Sequence, residues 1–172
     1  MKLYRSKLYR SKLHRSKFIL KFALVLGMLL VTNVSFSSEP VSTGFLGNAA
    51  IGKHDTTVYH LQGLSAEGEK RFKFTWQGAD WYFASAEQRD LFAENPEKYS
   101  PAYNGFCSNA LTLGEGLVNT NGQVWQIFGD QLHLFFAERG RQRWINGDYA
   151  ELKKQADVAW QEQLAIHKAS NE

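Results

Sequence analysis

The chain has a single cysteine, Cys107, so no disulfide can form within it. In an oxidising compartment its fold has to rest on an aliphatic and aromatic core instead. Residues 1–37 lack Asp and Glu altogether while carrying eight Lys or Arg. Beyond them, twelve basic residues face seventeen acidic ones, a formal charge of about −5, so the overall +3 belongs to the first 37 residues. A nucleic-acid partner therefore has no support from charge. The apolar run Phe18 to Val31, broken only by Lys21, falls short of the roughly 20 residues that a membrane span requires. No cysteine follows that run closely, which argues against a lipid-anchored lipoprotein.

The first 17 residues are a basic repeat, KLYRS, KLYRS, KLHRS, too short in period to enclose a core. The apolar run comes next, then TNVSFSSEP, with the small residues Ser35 and Ser37 placed for a cut after Ser37. Basic, apolar and small segments in that order predict a signal peptide over 1–37 and a periplasmic or secreted mature chain. The alternative is an uncut anchor formed by residues 18–34, the one route by which the chain would meet a membrane.

The remaining length suits one domain. Residues 38–50 are small and weakly patterned and are expected to be a linker or a loosely docked lead-in, with the ordered domain over 51–172. Phe72, Phe74 and Trp76 alternate with Lys73 and Thr75, predicting a strand that turns at Gln77 to Asp80 into a second strand at Trp81. Ser85 followed by Gln88 is a capping box for a helix ending before Pro96. A second short helix is expected from Asn104 or Gly105, with Cys107 in its first turn and Gly114 and Gly116 as its stop. VWQIF, Gly129-Asp130 and QLHLFF predict a second hairpin, in which alternation turns His133 to solvent. A helix from Asp148 carries Leu152, Ala156, Trp160 and Leu164 on one side. Hairpins mixed with helices give an α+β fold: a small antiparallel sheet, short helices and a longer C-terminal helix.

The spacing of these segments resembles the YHS domain family in its long exported bacterial form. The matching residues are Gly52, Asp55, Val58-Tyr59, Gly63 and Gly68; the run Gly78 to Ser85; Arg89, Leu91 and Phe92; the string Asn95 to Cys107; and Trp125, Asp130, Leu132, Ala156-Asp157 and Trp160. The resemblance implies this fold and export. Shorter relatives attached to heavy-metal transporters are thought to bind metal through several cysteines. Here Asp55-Thr56-Thr57-Val58 and Phe83-Ala84-Ser85 stand where those cysteines occur, and His54 and His60 replace aromatics usual in the long form.

Cys107 is the sharpest candidate for chemistry. A thiolate near a helix start is a better ligand or nucleophile, whereas a packed thiol is merely a small hydrophobe. Imidazole with thiolate is a soft donor set suited to copper(I) or zinc, which makes Cys107, His60 and Asp55 the candidate metal ligands. With no CxxC, HxxxH or second cysteine, a tight structural zinc site is not expected. The aromatic string Trp76, Trp81, Tyr82, Phe83, Tyr99, Tyr103 and Phe106 admits either core packing or a pocket for a small ligand walled by Cys107. Tyr59, Tyr99, Tyr103 and Cys107 are the candidate ligand-binding residues. A thiol enzyme would need an acid partner and an oxyanion motif, and neither is evident. The function expected is thus an exported module binding a small ligand or metal ion through the Cys107 loop; the alternatives are an interaction or structural domain, or a thiol-dependent enzyme.

Overall fold

Asp55, inside the first ordered stretch, starts a helix rather than the strand that Val58-Tyr59 suggests. Its side chain accepts from the Thr57 amide, capping α1 (Thr56–Gln62), and Gly63 closes that helix in the left-handed region at φ 65°. The computed structural model describes residues 38–44 and 47–171. The expected signal segment, residues 1–37, and the anchor alternative over 18–34 lie outside the described residues. After α1 come β1 (Glu69–Trp76) and β2 (Ala79–Phe83), joined by Gln77 and Gly78. Both turn residues have positive φ, 47° and 73°, as the twist-matching two-residue hairpin demands. Trp76 pairs with Ala79 and Phe74 with Trp81, so the register follows the predicted alternation.

Ser85 caps α2 (Ala86–Glu94) by accepting from the Gln88 amide at 3.2 Å. Pro96 does not simply stop the chain but opens α3 (Pro96–Tyr99), capped by Asn95. Phe92 of α2 is completely buried. Its ring centroid lies 5.1 Å from that of Trp81, 5.0 Å from Phe83, 5.8 Å from Trp76 and 6.1 Å from Phe74. The first hairpin thus closes over one phenylalanine.

The second hairpin pairs β3 (Val124–Phe128) with β4 (Gln131–Phe135), Ile127 opposite Leu132 and Trp125 opposite Leu134. Each hairpin is its own two-stranded sheet. β4 is covered on both faces. Leu132 and Leu134 enter the core around Phe92, while Phe135 enters a second core with Leu111, Trp144, Ala156 and Trp160. His133 is therefore fully buried rather than solvent-facing, because a second layer covers the side of the ribbon that alternation assigns to water. That layer comprises α4 (Ser108–Thr112), α5 (Glu138–Asn146) and α6 (Tyr149–Ser170). α5 is absent from the sequence-based assignment. Six of its nine residues are polar or charged, its N-cap Ala137 offers no side-chain bond, and Trp144 alone is buried. α6 starts as predicted, Asp148 accepting from the Glu151 amide, and buries Leu152, Ala156 and Trp160. The architecture is α+β.

The stretch expected as a linker is bonded into the domain. Ser42 is completely buried, and the Ala50 amide donates to the Asp80 carbonyl at 2.9 Å. The lead-in is short of hydrophobic pattern because it is anchored through backbone groups, which composition does not reveal.

Phe92→Ala is expected to lower unfolding free energy by about 3–5 kcal/mol, since four aromatic neighbours cannot all collapse into the space left. Urea denaturation followed by tryptophan fluorescence reads this directly; a loss below about 1 kcal/mol would contradict the closure of the hairpin on Phe92.

Candidate functional site

Between Pro101 and Phe106 the backbone does what few side chains tolerate. Tyr103 and Asn104 both sit in the left-handed region, at φ 56° and 48°, and Gly105 follows at 85°. A left-handed residue with a side chain persists only where its surroundings over-determine it. Here they do. The Asn104 carbonyl accepts from the Ser42 amide at 3.0 Å, and its side-chain amide donates to Glu39 and Gln77. The Gly105 carbonyl accepts from the Thr120 hydroxyl at 2.7 Å, and the Thr120 amide donates to Ser42 Oγ at 3.0 Å. A Cβ on Gly105 would stand 2.0 Å from Ile51 Cδ1, and Ile51 is itself left-handed at φ 51°. The string that opens on Asn95 thus ends in a strained clasp of three loops.

Cys107 follows this clasp. It is the N-cap residue of α4, one position before the helix and not within its first turn, because the left-handed pair delays the helix start. Its amide donates to the Val118 carbonyl at 2.8 Å, and Sγ accepts from the Phe136 amide at 3.2 Å. The residue is 4 % exposed and forms part of the wall of a cleft of about 130 Å³. Ala110, Leu113 and Val118 line one side, and Phe136, Ala137 and Gly140 the other. Leu113 and Phe136 are 49 % and 69 % exposed, which leaves large apolar surfaces on the cleft rim. β4 ends at Phe135, and Phe136, instead of following Leu132 and Leu134 into the core, turns out beside the cysteine.

Next to Cys107, Ser108 and His133 form a fully buried pair, Ser108 Oγ lying 3.0 Å from Nδ1. The Tyr149 hydroxyl is 3.4 Å from Nε2. Burial holds the imidazole pKa down at about 4, with Lys153 adding to the depression and Asp157 opposing it. Tyr103 donates its hydroxyl to Asp157 Oδ1 at 2.9 Å, and burial pushes that phenol well above the ordinary range. The group is invisible to sequence spacing, since its members come from the Ala102–Gly105 turn, α4, β4 and α6. The one available signal was a polar residue between two leucines in a strand, with Phe135 beside them.

The other candidates lie elsewhere. Asp55 is completely buried, with Oδ1 accepting from the Thr57 amide and hydroxyl at 2.9 and 2.7 Å and Oδ2 from the Ala84 amide at 2.8 Å. Its position joins α1 to the end of β2. Tyr59 belongs to the Phe92 core and donates to the Gly122 carbonyl; burial raises its phenol to about 12. His60 packs its ring edge-on against Tyr99, also of that core, and its Nε2 is shielded without a partner. Burial first, then Lys98, lowers the His60 pKa, against Asp130. Tyr103 and Cys107 share the Trp144 core, so the four candidate ligand residues divide two and two between the cores. Among the described residues no group of three or more His, Cys, Asp or Glu is placed to hold a metal ion. Copper or zinc binding thus rests on residue type alone. Comparisons with protein-family models, with curated proteins and with solved structures found no match.

Gly105→Ala adds a methyl both at a left-handed position and against Ile51. It is expected to cost about 2–4 kcal/mol, measured from the urea midpoint. A neutral Gly105→Ala would mean the clasp is slack.

Proposed function

We propose that the chain is an exported YHS-type binding module, not an enzyme, which takes the apolar portion of a small ligand in the cleft beside Cys107. The observation that carries this reading is the pairing of a thiol-walled cleft with two exposed apolar side chains, Leu113 and Phe136, on its rim. At about 130 Å³ the cleft is smaller than the roughly 300–1,000 Å³ of typical drug-sized sites, so the ligand group is small. The strained turn of Tyr103 to Gly105 next to it supports a site, because such strain gathers where backbone geometry is held for a purpose. Catalysis by the neighbouring Ser108–His133 pair is disfavoured, since both residues have no exposed surface on which to meet a substrate. Metal binding is the version of this reading in which Sγ supplies a bond instead of a contact surface.

Amide chemical-shift mapping tests the proposal. A panel of small apolar acids, amines and thiols is titrated into the labelled protein, and copper(I) and zinc are added separately. The expected result is a set of shifts at Cys107, Ala110, Leu113 and Phe136, with affinity falling about tenfold in Phe136→Ala, the loss of part of one buried aromatic contact. Shifts that cluster elsewhere, or none with the whole panel, sink the reading. Stoichiometric copper or zinc that disappears in Cys107→Ala replaces the contact version with the metal version.

A further inference from the structure

The sealed imidazole of His133 is surrounded on every side. Phe128 of β3 lies 5.7 Å away by ring centroids, Trp144 of α5 4.9 Å, Tyr149 of α6 5.8 Å and Tyr103 5.8 Å. Ser108 of α4 holds Nδ1 and Tyr149 faces Nε2. The charged groups nearest to it are Lys153 and Asp157 of α6, and these already satisfy each other, with Nζ 2.7 Å from Oδ2 while Tyr103 donates to Oδ1. No carboxylate touches the ring among the described residues. Hydrogen bonding alone does not forbid a proton there, because both hydroxyls can turn to accept. What opposes it is a charge placed among aromatic rings with no carboxylate in contact.

We propose that His133 is an acid-responsive latch, whose protonation frees the first half of α6 from β4 while the Phe92 core stays closed. Several features single out α6 as the part that moves. β4 is pinned between two cores, and α4 is tied to it through the Ser108–His133 contact. α6, by contrast, reaches the ring only through Tyr149 among the described residues. It also makes the longest of the ring's two polar contacts, and its Lys153–Asp157 pair is already half exposed, 35 % and 47 % by side chain, so water has a short way in to Nε2. Once the helix is lifted, the imidazolium is hydrated and Asp157 becomes available as its counter-ion.

The sign follows from the direction of the shift. The closed state prefers neutral His133, with a pKa of about 4, and the open state restores the ordinary value near 6.5. Closure is therefore at full strength above pH 6.5 and weakens as pH falls towards 4. Between pH 7 and pH 5 the open fraction rises about 20-fold.

Native-state hydrogen exchange, corrected for intrinsic rates, tests this in the intact protein. Amides of Lys153 to Gln163 should lose about 20-fold in protection between pH 7 and pH 5, with β1, β2 and α2 unchanged, and in His133→Gln the loss should vanish. A Tyr149→Phe variant provides a second measurement if His133→Gln does not fold; it should raise exchange in α6 at pH 7 and keep the pH dependence. Equal loss across the whole domain, protection in α6 that does not move with pH, or an unaltered loss in His133→Gln each overturns the latch.

Discussion

A two-stranded ribbon is marginal in water by itself, and β3–β4 is stable here because both of its faces are covered. The rest of the molecule depends on that double burial. One side of β4 gives Leu132 and Leu134 to the aromatic cluster that closes the first hairpin around Phe92. The other gives Phe135 to helices from the last third of the chain. The ribbon is a wall that the two cores share. His133 sits in that wall, so a group that is usually hydrated becomes part of the interior, where Ser108 and Tyr149 meet its polar atoms.

The second constraint is the meeting of two left-handed turns. Ile51 and Lys53 at one side, Tyr103 and Asn104 at the other, adopt a backbone that disfavours side chains, and a β-branched residue such as Ile51 pays most. The turns hold because they lock each other: Ile51 fills the place where Gly105 lacks a side chain, and Ser42 bonds to both through the Ile51 amide and the Asn104 carbonyl. This clasp fixes where α4 begins, and hence where the Cys107 thiol faces. The geometry of the cleft is thus inherited from loops, with the helices following.

Much of the fold was legible in the sequence because its signals are local. Alternation of Phe72, Phe74 and Trp76, the Ser85–Gln88 cap, the two hairpin turns and the amphipathic helix after Asp148 each depend on neighbours in the chain. α1 was legible in principle, since Asp55 and Gly63 bracket it, but its Thr and Val content reads as strand. α5 was not, because one buried tryptophan in nine residues gives no periodicity. The candidate site was half legible. Cys107 lines the cleft, while Tyr103 belongs to the buried His133 group, His60 and Asp55 lie elsewhere, and Phe136 owes its position at the cleft to long-range packing. Alternation located the two faces of β4 correctly and failed on which face meets water, a matter decided by residues distant in sequence at 102–112 and 138–170.

The hydrogen bonds of Ser42 have a further meaning for where this domain begins. A chain started at Ile51, the first residue with a clear pattern, would leave the Asn104 carbonyl, the Ile51 amide and the Thr120 amide without their partner in the middle of the clasp. The hydrogen-bonded structure therefore extends upstream to at least Glu39, whose carboxylate meets the Asn104 side chain. If the chain is cut after Ser37, only one residue separates the new terminus from the first structural contact. Export and folding would then share a boundary: the maturation step would release an N-terminus that is itself a working part of the loop that aims the thiol.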